Sequence, residues 1–292
     1  MSYDLYITSP KISLDDFSAY FASNARYKVE NRQAFYSNDE TGVYFSFDHN
    51  SEEPQEEDDI EHSVAFNINY YRPHYFALEA EPEVGRFIEH FNCAIRDVQN
   101  SGMENGPYSR EGFLRGWNAG NEFGYHAILA CDDSHGPIYS RPTADLERIW
   151  RWNTVKEQRQ AAFKEDIFVP RIMFMTFDGS LGSVCVWPDG ISTLIPQVDF
   201  LYLPRKELAP KKLFKTQEED FCVVPRKDFP EFFDYYATED FEVKSFKLPA
   251  PDTPQIVKDY VKKLKPFTGE VARIGFDSVL NAELVSKCKR TD

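Results

Sequence analysis

The chain has no stretch of apolar residues approaching the roughly 18 needed to span a bilayer; its longest such runs, for example Ile172-Met173-Phe174-Met175, have the length of a strand. Its first residues, Met-Ser-Tyr-Asp-Leu-Tyr-Ile, have neither a basic nor an apolar signal region, so a secretory leader is not expected. Cysteine is sparse: Cys93, Cys131, Cys185, Cys222 and Cys288 are odd in number, scattered and without a CxxC pair. That spacing predicts reduced thiols and a cytoplasmic location. Positive charge is also short, with 33 Lys and Arg against 48 Asp and Glu, a net charge of -15. A field of that sign repels nucleic acid and attracts basic partners.

Specific catalytic motifs are missing as well. The chain has no GxxxxGK[ST] phosphate loop, GxSxG elbow, HExxH pair or protein-kinase set. The nearest approach to a zinc cluster is His126, Cys131 and His135, and if 109–131 is helical then His126 points away from the loop that holds His135. His49 and His62 flank an acidic stretch and would supply only two ligands at a hairpin base. The acidic stretch itself lacks the spacing and central Gly of an EF-hand. No metal and no cofactor is expected.

What is abundant is aromatic and acidic. Phe (25) and Tyr (16) are enough, with the aliphatics, to build a real core. The acid is unevenly placed: residues 1–166 hold 15 Lys/Arg against 29 Asp/Glu, a net -14, while 167–292 hold 18 against 19, a net -1. It peaks in Ser51-Glu-Glu-Pro-Gln-Glu-Glu-Asp-Asp-Ile-Glu61. Between two strands, such a run is a solvated loop or a docking arm for a basic surface.

Periodicity divides the chain. Tyr3, Leu5 and Ile7 alternate with polar neighbours as a half-buried strand, Ser13 caps a helix over 14–23, 26–37 reads as extended, and 43–47 and 64–70 are further strands. Pro82 and Glu83 mark a helix start, with Val84, Phe87, Ile88, Phe91, Ile95 and Val98 on its inner face. Ser109 opens another helix bearing Gly112, Gly116, Gly120 and Gly124 on one stripe, which predicts close packing against another backbone. Thr143 caps a polar helix running to about Lys164. Short strands then follow, joined by Asp178-Gly179, Pro188-Asp189-Gly190 and Pro196, with helices at 229–236 and 253–264. The expected fold is α+β: an N-terminal α/β sandwich-like domain with a helical segment, 1–165, followed by a C-terminal antiparallel β-meander domain with flanking helices, 166–292.

Two sets of side chains are candidates for function. The first is the acidic run, with Glu52, Glu53, Glu56, Glu57, Asp58, Asp59 and Glu61 as partner-binding residues. The second is a polar set, Asn67, Asn69, Arg72, Glu79, Trp117, Asn118 and Asn121, whose donors and acceptors would line a cleft for a polar small molecule or form a buried hydrogen-bond network. A pocket gathering Asn67, Asn69, Arg72 and Asn118 would favour an enzyme; dispersal over several faces would count against one.

Tyr36-Ser-Asn-Asp-Glu-Thr-Gly-Val-Tyr-Phe45, Asn67-Ile-Asn-Tyr-Tyr-Arg-Pro73, Leu78-Glu-Ala-Glu-Pro82 and Gly116-Trp-Asn-Ala-Gly-Asn121 resemble a family of uncharacterised bacterial proteins, chiefly over the N-terminal half. That resemblance brings no catalytic residues. Val169-Pro-Arg-Ile-Met-Phe, Val186-Trp-Pro-Asp-Gly and Leu194-Ile-Pro-Gln-Val-Asp199 resemble bacterial immunity proteins that neutralise secreted toxins. The second resemblance implies a cytoplasmic inhibitor that binds and occludes one basic toxin domain, without contact with nucleic acid or membrane. The alternatives are an enzyme using the Asn/Arg/Glu cleft and an adaptor subunit of a larger assembly.

Overall fold

The alternation of Tyr3, Leu5 and Ile7 with Ser2, Asp4 and Tyr6 makes β1 (Ser2–Ser9), with the first set buried and the second half-exposed. In the computed structural model, which describes residues 1–51, 61–99, 101–103, 107–130, 136–163, 166–210, 220–238 and 245–289, the same alternation recurs in β2 (Tyr27–Glu30), β3 (Gln33–Asn38), β4 (Val43–His49), β5 (Val64–Asn69) and β6 (Ala94–Asp97). They pair antiparallel in the order β2-β3-β4-β5-β1-β6. The chain divides into two compact units, Met1–Glu147 with Phe276–Asp292, and Arg148–Gly275.

In the first unit three helices lie on one face of this sheet. Ser13 caps α1 (Leu14–Ala22), its hydroxyl accepting from the Asp16 amide. Phe17 and Phe21 are buried, and Phe21 packs on Phe47 and on Phe87 of α2 (Tyr75–Phe91). Ser109 caps α3 (Arg110–Leu129), whose Phe113 meets Tyr3 and Phe66. The glycine stripe of α3 packs closely as its spacing predicts, but chiefly against side chains and not a backbone: a Cβ on Gly116 would stand 2.6 Å from the Tyr3 hydroxyl, and one on Gly120 would overlap the Tyr70 ring. Only glycine lets this helix approach so closely.

Two boundaries differ from expectation. α2 starts at Tyr75 and carries Pro82 in its interior, because Tyr75, Phe76, Ala77 and Ala80 are already buried against the core. It ends at Asn92 in the left-handed region (φ 50), so Ile95 belongs to β6 and pairs with Ile7 of β1. The extended reading of 26–37 resolves into a hairpin turned at Asn31 and Arg32, both at positive φ.

The expected division at 165/166 is also corrected. It falls inside α4 (Thr143–Thr154), and the chain from Phe276 onward belongs to the first unit. There β16 (Val279–Asn281) pairs in parallel with β7 (Tyr139–Arg141), and Val285 and Cys288 of α7 (Ala282–Cys288) join a small core with Tyr125 and Leu280. The later turns of α4 serve the second unit: Trp152 Nε1 donates to Pro170 O, and the Asn153 amide bonds both N and O of Ile172. The single helix expected to Lys164 is two, α4 and α5 (Lys156–Phe163).

The second unit is built on β8 (Ile172–Phe177), β9 (Ser180–Val186), β11 (Phe200–Arg205), β12 (Asp220–Pro225) and β15 (Val271–Ile274), with β10 (Leu194–Pro196), β13 (Ala237–Thr238) and β14 (Ser245–Lys247) in a smaller sheet. The larger sheet, β12-β11-β9-β8-β15, is meander-like and antiparallel except that β9 and β11 run parallel. The Asp178-Gly179 turn between β8 and β9 has φ 49 and 80, the two positive values a tight hairpin requires. Beyond β12, α6 (Gln255–Lys263) is held at its C-terminal end by Arg205, which donates to the carbonyls of Val261 and Leu264.

Candidate functional site

β5 leads into α2 through a turn that needs Tyr71 at φ 60. The buried Asn121 of α3 fixes it: its Oδ1 accepts from the Arg72 amide at 3.2 Å and its Nδ2 donates to the Arg72 carbonyl at 3.0 Å. The Tyr125 hydroxyl donates to the same carbonyl. One helix thereby replaces the partners that an irregular turn would otherwise lack. The Arg72 guanidinium then reaches the Tyr44 hydroxyl through Nε (2.9 Å) and Nη2 (2.7 Å), and that hydroxyl donates to Asp277 at 3.4 Å.

The same turn carries His74. Its amide donates to Asn281 Oδ1, and Asn281 Nδ2 donates to both His74 Nδ1 and Thr143 Oγ1 at 2.8 Å. With Nδ1 accepting, the proton of the neutral ring sits on Nε2. Burial lowers the His74 pKa below its ordinary value, against the pull of Glu147 and Glu283. Glu283 closes the network by accepting from the amide and hydroxyl of Thr143, and the hydroxyl bond holds its carboxyl below the ordinary value.

Glu79 lies in a different place. Its Oε1 accepts from Tyr36 OH (2.9 Å), Asn38 Nδ2 (2.6 Å) and Thr41 Oγ1 (3.0 Å), tying α2 to the β3–β4 hairpin. Asp97 does similar work at the other edge, accepting from Tyr3 OH and from the amides of Gln99 and Met103. Burial, with these carboxylates beside them, raises the pKa of both tyrosines. Each carboxylate is therefore an anchor whose donors are already in place.

The face of the six-stranded sheet opposite α1–α3 is polar and solvent-touched. Lys28, Gln33, Phe35, Tyr44, Ser46, Asp48, Asn67, Asn69, Asp4, Tyr6 and Arg96 point from it, half-buried or exposed. Its side chains bond one another in short ladders: Asn67 to Asp4, Gln33 to Asp48 and Ser46 to Asp48. Phe35 stacks on Tyr44. The acidic run joins the ends of β4 and β5, the two middle strands. Of its expected contact residues Glu61 is exposed, while Glu52, Glu53, Glu56, Glu57, Asp58 and Asp59 lie outside the described residues. His49 and His62 do not meet: His49 bonds the Ile12 carbonyl and packs on Phe17, whereas His62 packs on Tyr6 of the open face.

The polar set is thus distributed, not gathered around one cavity. Asn67 and Asn69 belong to the open face, Arg72 and Asn121 meet at the β5–α2 turn, Glu79 anchors a hairpin, Trp117 is fully buried in the core and Asn118 is exposed on α3. This dispersal counts against the enzyme reading. Sequence reasoning missed Tyr44, His74, Thr143, Tyr125 and Asn281, which complete the network around Arg72. Asn281 is 207 residues from His74 in the chain and offers no local signal. Among the described residues no three His, Cys, Asp or Glu side chains stand together as metal ligands, and no helix is long and apolar enough to cross a membrane. No protein-family model, curated protein or solved structure matches the chain, so the resemblances rest on their quoted motifs alone.

Proposed function

We propose that this protein is a cytoplasmic, immunity-type inhibitor that binds a basic secreted toxin domain and occludes its active site. The observation that carries the reading is the placement of the acid. The net -14 of residues 1–166 peaks in 51–61, which join the ends of β4 and β5, the two middle strands of a sheet whose face opposite α1–α3 carries Tyr6, Phe35 and Tyr44. Six strands about 4.8 Å apart and about 20 Å long give a footprint of roughly 500 Å². A stable interface needs roughly 800 Å² per partner. The face alone is too small, and the acidic run beside it supplies the remaining contact together with long-range attraction for a basic partner.

The direct test is co-expression with any basic toxin domain found encoded beside this chain. The intact chain is expected to protect the cell. A variant with Glu52, Glu53, Glu56, Glu57, Asp58, Asp59 and Glu61 changed to their amides is expected to lose protection while retaining its fold. Full protection by that variant, or the absence of any basic toxin domain at the locus, refutes the proposal.

A further inference from the structure

The second unit contains a cavity of about 390 Å³ lined by Gln197, Val198, Arg226, Phe229, Ala237, Thr238, Ser245 and Phe246. Its volume lies within the range of small-ligand sites, about 300 to 1,000 Å³. The walls are pre-arranged. Phe229 and Phe246 both pack against Phe233, with ring centroids 5.6 and 5.0 Å away, and Phe233 rests in turn on Trp187. The rings therefore hold their positions without a ligand.

Two of the polar lining residues, Gln197 and Arg226, are paired. The backbone of Arg226 is fixed by its amide, which donates to the Asp199 carbonyl, and by its carbonyl, which accepts from the Phe229 amide. With the Gln197 amide turned so that its oxygen faces the guanidinium, the orientation that satisfies both groups, that oxygen accepts from Nη1 (2.9 Å) and Nη2 (3.3 Å). Among the described residues the guanidinium has no carboxylate partner. Gln197 takes the Nη1/Nη2 edge and leaves the Nε/Nη2 edge, whose two N–H groups match the two oxygens of a carboxylate. An aromatic-walled cavity with such a group in its lining suits an acid with an apolar body.

We propose that this cavity binds small monocarboxylates with an aromatic or branched apolar body, the carboxylate on Arg226 and the body between Phe229, Phe246 and Val198. This is separate from the proposed partner surface of the first unit, and failure of either leaves the other untouched.

The experiment is titration calorimetry of the full chain with phenylacetate and its neutral twin, phenylacetamide. Phenylacetate is expected to bind at about 1 mM or tighter, the range open to a ligand of about ten heavy atoms. Arg226→Gln should weaken phenylacetate by about ten-fold and change phenylacetamide by less than about two-fold. Ala237→Trp, which adds bulk at an exposed lining position, should abolish binding of both probes with the melting temperature unchanged. The proposal is overturned if phenylacetate does not bind at 10 mM (about ten times the expected Kd), if Ala237→Trp leaves binding intact, or if Arg226→Gln weakens both probes equally.

Discussion

Arg205 lends itself to a quantitative test. Its side chain is fully buried, and its Nε and Nη2 donate to the two oxygens of Asp220 at 2.7 Å each. Nη1 donates to the carbonyls of Val261 (2.8 Å) and Leu264 (3.0 Å) at the end of α6. Arg205→Met keeps the apolar stem and removes every one of these bonds. Breaking a buried pair from one side costs about 3 to 5 kcal/mol. Asp220 is 21% exposed and can recover water, so the loss should fall near the lower end, about 3 kcal/mol. Asp220→Asn should cost at least as much, since it strands a guanidinium with no exposure of its own. The double variant should lose at least about 1 kcal/mol less than the sum of the two, because neither charge is then left alone. Urea unfolding followed by tryptophan fluorescence measures all three. An Arg205→Met variant within about 1 kcal/mol of the parent, or strict additivity, would refute the reasoning.

Gly120→Ala ordinarily gains about 1 kcal/mol of helix propensity; here the new Cβ overlaps the Tyr70 ring, so a net loss of about 2 kcal/mol is expected in thermal unfolding. His74 has a lowered pKa in the fold, so the unfolded chain takes up the proton first. Its contribution is complete above about pH 7 and is lost as pH falls through the ordinary value near 6.5 toward the folded one. Urea midpoints from pH 8 to 5.5 should therefore fall less steeply for His74→Gln than for the parent, and equal slopes would remove His74 from the account. Burial pushes the thiols of Cys93 and Cys222 up to about 11. In a Cys131→Ser background, modification by a disulfide reagent at pH 8 should thus be more than ten-fold slower than for an unburied thiol.

The sequence carried the fold where local chemistry decides it. Asp178-Gly179 forms the expected hairpin, Ser13 and Ser109 cap the expected helices, and the α3 glycines allow close packing, though against tyrosine and methionine side chains more than a backbone. It failed where distant partners decide. Pro82 is tolerated inside α2 because the preceding turns bury Tyr75 and Phe76. Ile95 leaves the helical pattern because β1 offers it a strand to pair with. The β2–β3 turn was hidden because Asn31-Arg32 lacks the glycine that usually marks two positive φ values. Within the polar set the alternation placed Asn67 and Asn69 on the face opposite Phe66 and Ile68, whereas Trp117 is buried in the core and Glu79 lies inside α2. The assembly of the set was not legible, because Asn121 turned inward to the Arg72 backbone and Asn281 arrived from the far end of the chain.

The central claim, an acidic surface that receives a basic toxin domain, is tested most directly by the salt dependence of that complex. Affinity of the intact chain for a candidate basic toxin domain should be measured at 50 and 300 mM salt, conditions over which surface attraction is progressively screened, with a Debye length of about 10 Å at 0.1 M. The account predicts tight binding that weakens markedly with salt, and a loss of about 100-fold at low salt when the seven acidic residues of 52–61 become amides. Absence of binding, or an affinity indifferent to both salt and those substitutions, would contradict it.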